Sequence, residues 1–195
     1  LNAIPVLAEF RRHPDDFYLL RVGYGGLMGA LANVTPPSIG PSGFHAYPST
    51  LAIDGYSGDY GPGFFGHAVN TGTYVIHHPD FGWLAFGGSL TEDGSEVQVR
   101  PLDSARSRVF LAPLGLWMTL DAGTFQEIAI QGDRVTITFS PGTHYPPVAR
   151  LRIAFRSADG RAGELRPTTR VEMEREAYLI PLSDEPVTVA FEIQR

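Results

Sequence analysis

The sequence contains no cysteine and no lysine. The first absence excludes disulfides and thiolate metal centres, and leaves the redox compartment open. The second makes every one of the fifteen basic residues an arginine, a bias expected of a GC-rich genome and given no mechanistic weight. Also missing is any apolar run near the ~20 residues that span a bilayer, so no membrane partner is expected. Positive charge is in deficit, with a formal net charge of -6 and a pI near 5.4. That balance argues against nucleic acid, whose binders carry a basic patch, and suits a neutral or cationic ligand better. The opening Leu1-Asn2-Ala3-Ile4-Pro5 offers neither an initiator methionine nor a basic segment ahead of an apolar one, so no signal peptide is read here. The abrupt helical start suggests a piece of a longer polypeptide, with a secreted chain trimmed at Leu1 as the competing explanation.

The residues present divide the chain unevenly. Sixteen of the 22 glycines fall in residues 1–94, together with only three of the fifteen arginines. The acidic residues number eight before residue 95 and thirteen after it, so the formal charges are 3 − 8 = −5 and 12 − 13 = −1. Residues 2–12 read as the end of a helix, broken at His13-Pro14, with Asp15-Asp16 supplying a carboxylate cap for the next. From Phe17 the apolar positions Leu20, Tyr24, Leu27, Met28, Leu31 and Val34 recur at helical spacing, ending before Pro36-Pro37. Residues 36–63 form a long segment of prolines, glycines and serines interleaved with Phe44, His45, Tyr47, Tyr56 and Tyr60, a length usually reserved for functional loops. Residues 64–78 read as helix again, with His67, Asn70, Tyr74 and His78 on one polar-aromatic face.

After Gly94 the period changes to two. Strands are expected near 96–101, 106–112, 115–121, 124–131, 133–140, 148–156, 168–175 and 186–194, with hairpin signals at Gln131-Gly132-Asp133 and Ala158-Asp159-Gly160. Short strands at this spacing predict an antiparallel sandwich.

Several motifs have bland readings that prevail. Gly23-Tyr24-Gly25-Gly26-Leu27-Met28-Gly29 invites a dinucleotide site, but the third required glycine is Met28 and no βαβ pattern follows; glycines that let two helices approach closely are the better account. His67, His77, His78 and Asp80 lack zinc-binding spacing, so no metal or other cofactor is expected. Asn33-Val34-Thr35 is formally a glycosylation sequon, unsupported by anything else in the sequence. The stronger constellation is Asp54, Tyr56, Asp59, Tyr60 and His67, followed by Asn70 and Tyr74. Aromatic rings stack on sugar C–H faces, Asp, Asn and His hydrogen-bond hydroxyls, and a carboxylate can act at a glycosidic bond. Ordinary turn chemistry at Asp-Gly and Gly-Asp is the competing reading.

The stretch from Ser57 to Gly88, SGDYGPGFFGHAVNTGTYVIHHPDFGWLAFGG, together with Arg21–Leu31, resembles the closing part of large bacterial proteins related to six-hairpin glycosidases, whose helical hairpins form an (α/α)6 toroid. The resemblance implies an α+β chain: last hairpins of a toroid in residues 1–94, then an antiparallel β-sandwich in residues 95–195. It also implies secretion to an extracellular or periplasmic place, polysaccharide degradation, and completion by the rest of the same protein or by another chain. On this reading Asp59 is the candidate catalytic carboxylate with Asp54 as a possible second, and Tyr47, Tyr56, Tyr60, His67, Asn70 and Tyr74 contact a carbohydrate. Glycoside hydrolysis is the leading expectation. A polysaccharide lyase, or a non-catalytic glycan-binding or structural module, are the alternatives. The lyase reading is disfavoured because Arg11, Arg12 and Arg21 all lie outside the aromatic segment.

Overall fold

The computed structural model describes residues 3–28, 72–104, 106–140, 147–155 and 164–194. The chain divides into two compact units, Leu1–Thr71 and Gly72–Arg195.

In the first unit, α1 (Ala3–Phe10) and α2 (Phe17–Met28) form a helical hairpin. The expected break and cap are both present: the Leu19 N–H is shared between Asp16 Oδ1 at 3.3 Å and the Asp16 carbonyl at 3.1 Å, as at a carboxylate-capped first turn. Ala3, Leu7 and Phe10 on α1, and Leu20, Gly23 and Leu27 on α2, are buried. A Cβ on Gly23 would stand 2.7 Å from Leu7 Cγ, and one on Gly26 3.2 Å from the Ala3 Cβ. These glycines therefore admit the neighbouring helix, as their spacing suggested.

The second unit is a two-sheet sandwich of thirteen strands among the described residues. They are β1 (Gly72–His78), β2 (Gly82–Phe86), β3 (Gly88–Asp93), β4 (Glu96–Pro101), β5 (Arg108–Leu111), β6 (Leu116–Ala122) and β7 (Thr124–Gln131). There follow β8 (Arg134–Ser140), β9 (Val148–Phe155), β10 (Glu164–Pro167), β11 (Glu172–Glu174), β12 (Ala177–Pro181) and β13 (Val187–Gln194). One sheet has seven strands in the order β11-β12-β9-β6-β5-β1-β2, the other six in the order β10-β13-β8-β7-β4-β3. The chain changes sheet between β2 and β3 at Gly87, and between β6 and β7 at Gly123. Both glycines hold the positive φ that a side chain resists.

Alternation along the strands builds the core. Val97 and Val99, Ile128 and Ile130, Val135, Ile137 and Phe139 from the six-stranded sheet meet Val109, Leu111, Leu116, Met118, Leu120 and Leu151 from the other. Tyr178 of β12 crosses the interior, its hydroxyl donating to the Leu165 carbonyl of β10 at 3.0 Å and its ring meeting Phe191 edge-on. Such burial, at roughly 25 cal/mol per Å2 of apolar surface, is the main force holding the sheets together.

Two expectations are overturned. The fold is predominantly β-sheet, and one short hairpin is no series of toroid hairpins. The helix expected over 64–78 is, in its described part, strand β1. Five consecutive buried residues, Gly72 to Ile76, erase the alternation that identifies a strand. Thr73, Val75 and Ile76 are β-branched and Tyr74 aromatic, the composition that favours extended chain over helix. Three strands thus precede Ser95, and the division expected between residues 94 and 95 falls in the β3–β4 turn. The sandwich is antiparallel apart from β1, which runs parallel to β5.

Candidate functional site

Of the residues singled out by sequence, Asp54, Asp59, Tyr47, Tyr56, Tyr60, His67 and Asn70 lie outside the described residues. Tyr74 is described, and its setting differs from the expected helical face: it lies in β1 with 1% of its surface exposed. His78, expected beside it, is four residues further along the same strand.

Tyr74 does belong to an aromatic constellation, one made by strand register. Phe86 on β2 pairs with Tyr74 on β1, Tyr74 with Phe110 on β5, Phe110 with Trp117 on β6, and Trp117 with Ala154 on β9. All five sit on the face of the seven-stranded sheet opposite the core. Tyr74 and Phe110 meet edge-on with ring centroids 6.4 Å apart, Phe110 and Trp117 at 6.2 Å, and Tyr74 and Trp117 at 6.1 Å. Tyr74 and Phe110 are buried; Trp117 and Phe86 at the ends are half-buried, and Ala154 beyond Trp117 is exposed. Edge contacts of this kind contribute about 0.5–1.5 kcal/mol each beyond the area they bury.

A charged network lies beside this row. Arg152 pairs with Thr119, which pairs with Arg108, so the next row on the same face holds two arginines flanking a threonine. Arg152 Nε donates to Asp121 Oδ2 at 2.6 Å. Arg150 reaches the same carboxylate at 3.5 Å and Glu174 Oε2 at 2.9 Å. Asp121 gains its position from a bulge in the β6–β9 pairing between Leu120 and Ala122. The surface thus brings together a partly buried indole, a hydroxyl, a carboxylate and guanidinium donors on adjoining strands.

The β1–β2 hairpin carries a second aromatic group. Phe81 in its turn is 72% exposed, and His78 packs on it with centroids 4.8 Å apart. The Asp80 N–H donates to His78 Nδ1 at 3.1 Å, leaving the Nε2 tautomer for the neutral ring. On the opposite side of the hairpin His77 meets Trp83 edge-on at 5.3 Å. His77 and His78 therefore point to different faces, since neighbours on a strand alternate.

A family of unknown function, DUF5695, matches residues 1–190. The chain belongs to this family. No curated protein and no solved structure matches it. The DUF5695 match runs through both compact units, so the helical hairpin and the sandwich are parts of one family sequence. Among the described residues of this DUF5695 chain, no helix is long and apolar enough to cross a membrane.

Trp117, Asp121, Arg150 and Arg152 were missed by sequence reasoning, although a signal existed. Leu116-Trp117-Met118-Thr119-Leu120-Asp121 alternates, and its second set is aromatic and polar; Arg150 and Arg152 alternate with Ala149, Leu151 and Ile153 in the same way. What a single sequence withholds is register, which here brings residues thirty-one apart, Asp121 and Arg152, into contact.

Proposed function

We propose that this chain is part of a carbohydrate-active protein, a glycoside hydrolase in its catalytic form, and that the sandwich presents a glycan-binding surface. The observation that carries the reading is the half-buried Trp117 towards the margin of the aromatic row, with polar and charged groups on adjoining strands. Half-buried Trp117 pairs with exposed Ala154, while Thr119, Arg152 and Asp121 stand one row away. A sugar ring needs an apolar C–H platform and directed hydrogen-bond partners at its rim, and this surface supplies both. The resemblance of residues 57–88 to six-hairpin glycosidase relatives supports the same substrate class. Catalysis is assigned to Asp59, with Asp54 as its companion carboxylate.

The test uses the full chain and a panel of soluble oligosaccharides, read by calorimetry. Binding is expected, with Trp117→Ala lowering affinity about tenfold or more, as truncation of an aromatic hot spot does at an interface. In the same preparation Asp59→Asn should abolish any glycan turnover while leaving binding intact. Binding unaffected by Trp117→Ala removes this surface from the reading; turnover unaffected by Asp59→Asn removes Asp59 from the chemistry.

A further inference from the structure

We infer that the β1–β2 hairpin, with the edge of β2 behind its tip, docks a basic, extended segment of a partner protein. The inference is independent of the glycan reading, since none of its residues belongs to the Trp117 surface.

The hairpin tip is shaped to present an aromatic ring. Pro79, Asp80 and Phe81 bridge the closing pair His78 and Gly82, and Gly82 takes a φ of +69° that lets so short a loop close. Phe81 stands 72% exposed, yet the His78 ring packs on it with centroids 4.8 Å apart. On the other side of the hairpin, exposed His77 meets half-buried Trp83 edge-on at 5.3 Å. A ring so exposed adds little to the fold, and one held in place by a neighbour suits an anchor that a partner covers.

The backbone behind the tip is equally unguarded. Among the described residues β2 is the last strand of its sheet and β3 the last of the other. Such edges are ordinarily protected by charge, proline or a bulge. β3 meets that need with Glu92 and Asp93 at its end. β2 reads Gly82-Trp83-Leu84-Ala85-Phe86, without charge or proline, and its register with β1 is unbroken. The outward N–H and C=O groups along Gly82–Ala85 are therefore a template for one added strand, the mode in which an extended peptide joins a sheet.

Charge selects the strand. From Gly72 to Val99 the sequence holds Asp80, Glu92, Asp93 and Glu96 and no arginine. The arginines bordering this stretch are engaged elsewhere: Arg100 pairs with Glu127 at 2.7 Å, and Arg134 lies opposite Glu192 in register. Arg108 faces Gly72 at the foot of β1, away from the tip. β2 and β3 are joined at Gly87 and are both edge strands, so the unguarded edge belongs to an acidic margin. Arginine or lysine on the incoming strand gains carboxylates there, and aromatic faces at Phe81 and Trp83. A second copy of the chain would bring the same four carboxylates against them, which like charge disfavours.

The experiment titrates the full chain, by calorimetry, with a decapeptide of alternating valine and arginine and with its glutamate counterpart. The arginine peptide is expected to bind and the glutamate peptide to fail, with added salt weakening the first. Methylating one alternate set of the peptide's backbone amides should abolish binding, while methylating the other set leaves it, because only one set faces β2. Phe81→Ala should lower affinity about tenfold or more. Glu92→Gln combined with Asp93→Asn should lower it roughly two- to fivefold, as loss of exposed ion pairs does. The melting temperature checks that each variant is folded, as expected at exposed positions. Binding that survives Phe81→Ala is general attraction to an acidic chain and overturns the docking site. Equal response to the two methylation patterns overturns strand addition. Concentration-dependent dimers in sedimentation, lost in Phe81→Ala, make the occupant a second copy and overturn the basic partner. Failure of both peptides to bind overturns the inference outright.

Discussion

On the outer face of the six-stranded sheet one register row reads Thr91, Gln98, Ala129, Thr136 and Ala190. The comparable row of the seven-stranded sheet reads Phe86, Tyr74, Phe110, Trp117 and Ala154. The first is what a solvated face requires, with short polar side chains and cross-strand pairs such as Thr138 and Thr188, whose hydroxyls lie 2.9 Å apart. The second is apolar at its centre and polar only towards β9 and β11. A sheet that buries both faces through its middle strands has one outer margin where aromatic and charged groups meet water together. That margin runs from Trp117 to Arg152, and the other sheet has no counterpart to it among the described residues.

The comparison is broken most directly by truncating one aromatic on each kind of face. Phe139 lies in the interior between the sheets and Phe110 in the outer row, and both are buried. Phe139→Ala and Phe110→Ala should each cost about 3–5 kcal/mol in denaturant unfolding, because each leaves a cavity in packed surroundings. Thr136→Ala, on the outer face of the six-stranded sheet, should stay within about 0.5 kcal/mol. If Phe110→Ala behaved like Thr136→Ala, the outer row would be a solvated decoration, and the distinction between the two sheets would fail.

The same difference explains which parts of the fold were legible in the sequence. Strands β4, β7, β8 and β13 alternate cleanly because one face is core and the other water, and the stretches 96–101, 124–131, 133–140 and 186–194 were read as strands close to their observed bounds. β1 is buried on both faces, so its sequence shows a continuous apolar run, which helix and strand share. β2, an apolar stretch with no clear period, was assigned to no element. β10 and β12 are only four and five residues long and escaped notice for lack of length. In the first unit the capped helical hairpin was legible because capping and helical spacing are local. The surface around Trp117 was not, since it is assembled by pairing among five strands, and Tyr74 was singled out for aromatic chemistry on a face that does not exist.

A smaller effect sharpens how the two sheets are joined at the β2–β3 corner. Thr73 is buried on the inner side of β1, and its hydroxyl donates to the Gly87 carbonyl at 2.8 Å. A Cβ on Gly88 would come within 2.9 Å of Thr73 Cγ2 and 3.0 Å of the Arg100 carbonyl oxygen. Thr73→Val keeps the shape and strands the carbonyl without its donor, so a loss of about 1–3 kcal/mol is expected. Thr73→Ser keeps the donor and removes the methyl, and in that background Gly88→Ala should cost less than it does in the native chain. Additive costs in the double variant, measured by thermal unfolding, would mean that the corner does not depend on this contact.

The smallest expected effect concerns pH and the interior that both sheets share. Burial, reinforced by the Glu164 carboxylate and opposed by Arg166, raises the Tyr178 phenol above the ordinary value of 10.0. Below that value the phenol is protonated in folded and unfolded chains alike, and stability does not respond to it. Above it the unfolded chain releases the proton while the folded chain retains it, so unfolding gains free energy with each further rise in pH until the folded phenol also ionises. Stability should therefore fall from about pH 10 upward, and Tyr178→Phe should flatten that slope. The substitution also removes the hydrogen bond to the Leu165 carbonyl, so its stability at neutral pH should be lower by about 1–2 kcal/mol. The two signatures are separable: the offset reports the bond between β12 and β10, and the slope reports the buried phenol. A variant with the offset and an unchanged alkaline slope would show that Tyr178 pins the sheets without being shielded from water, and the interior would then be open at that end of the sandwich.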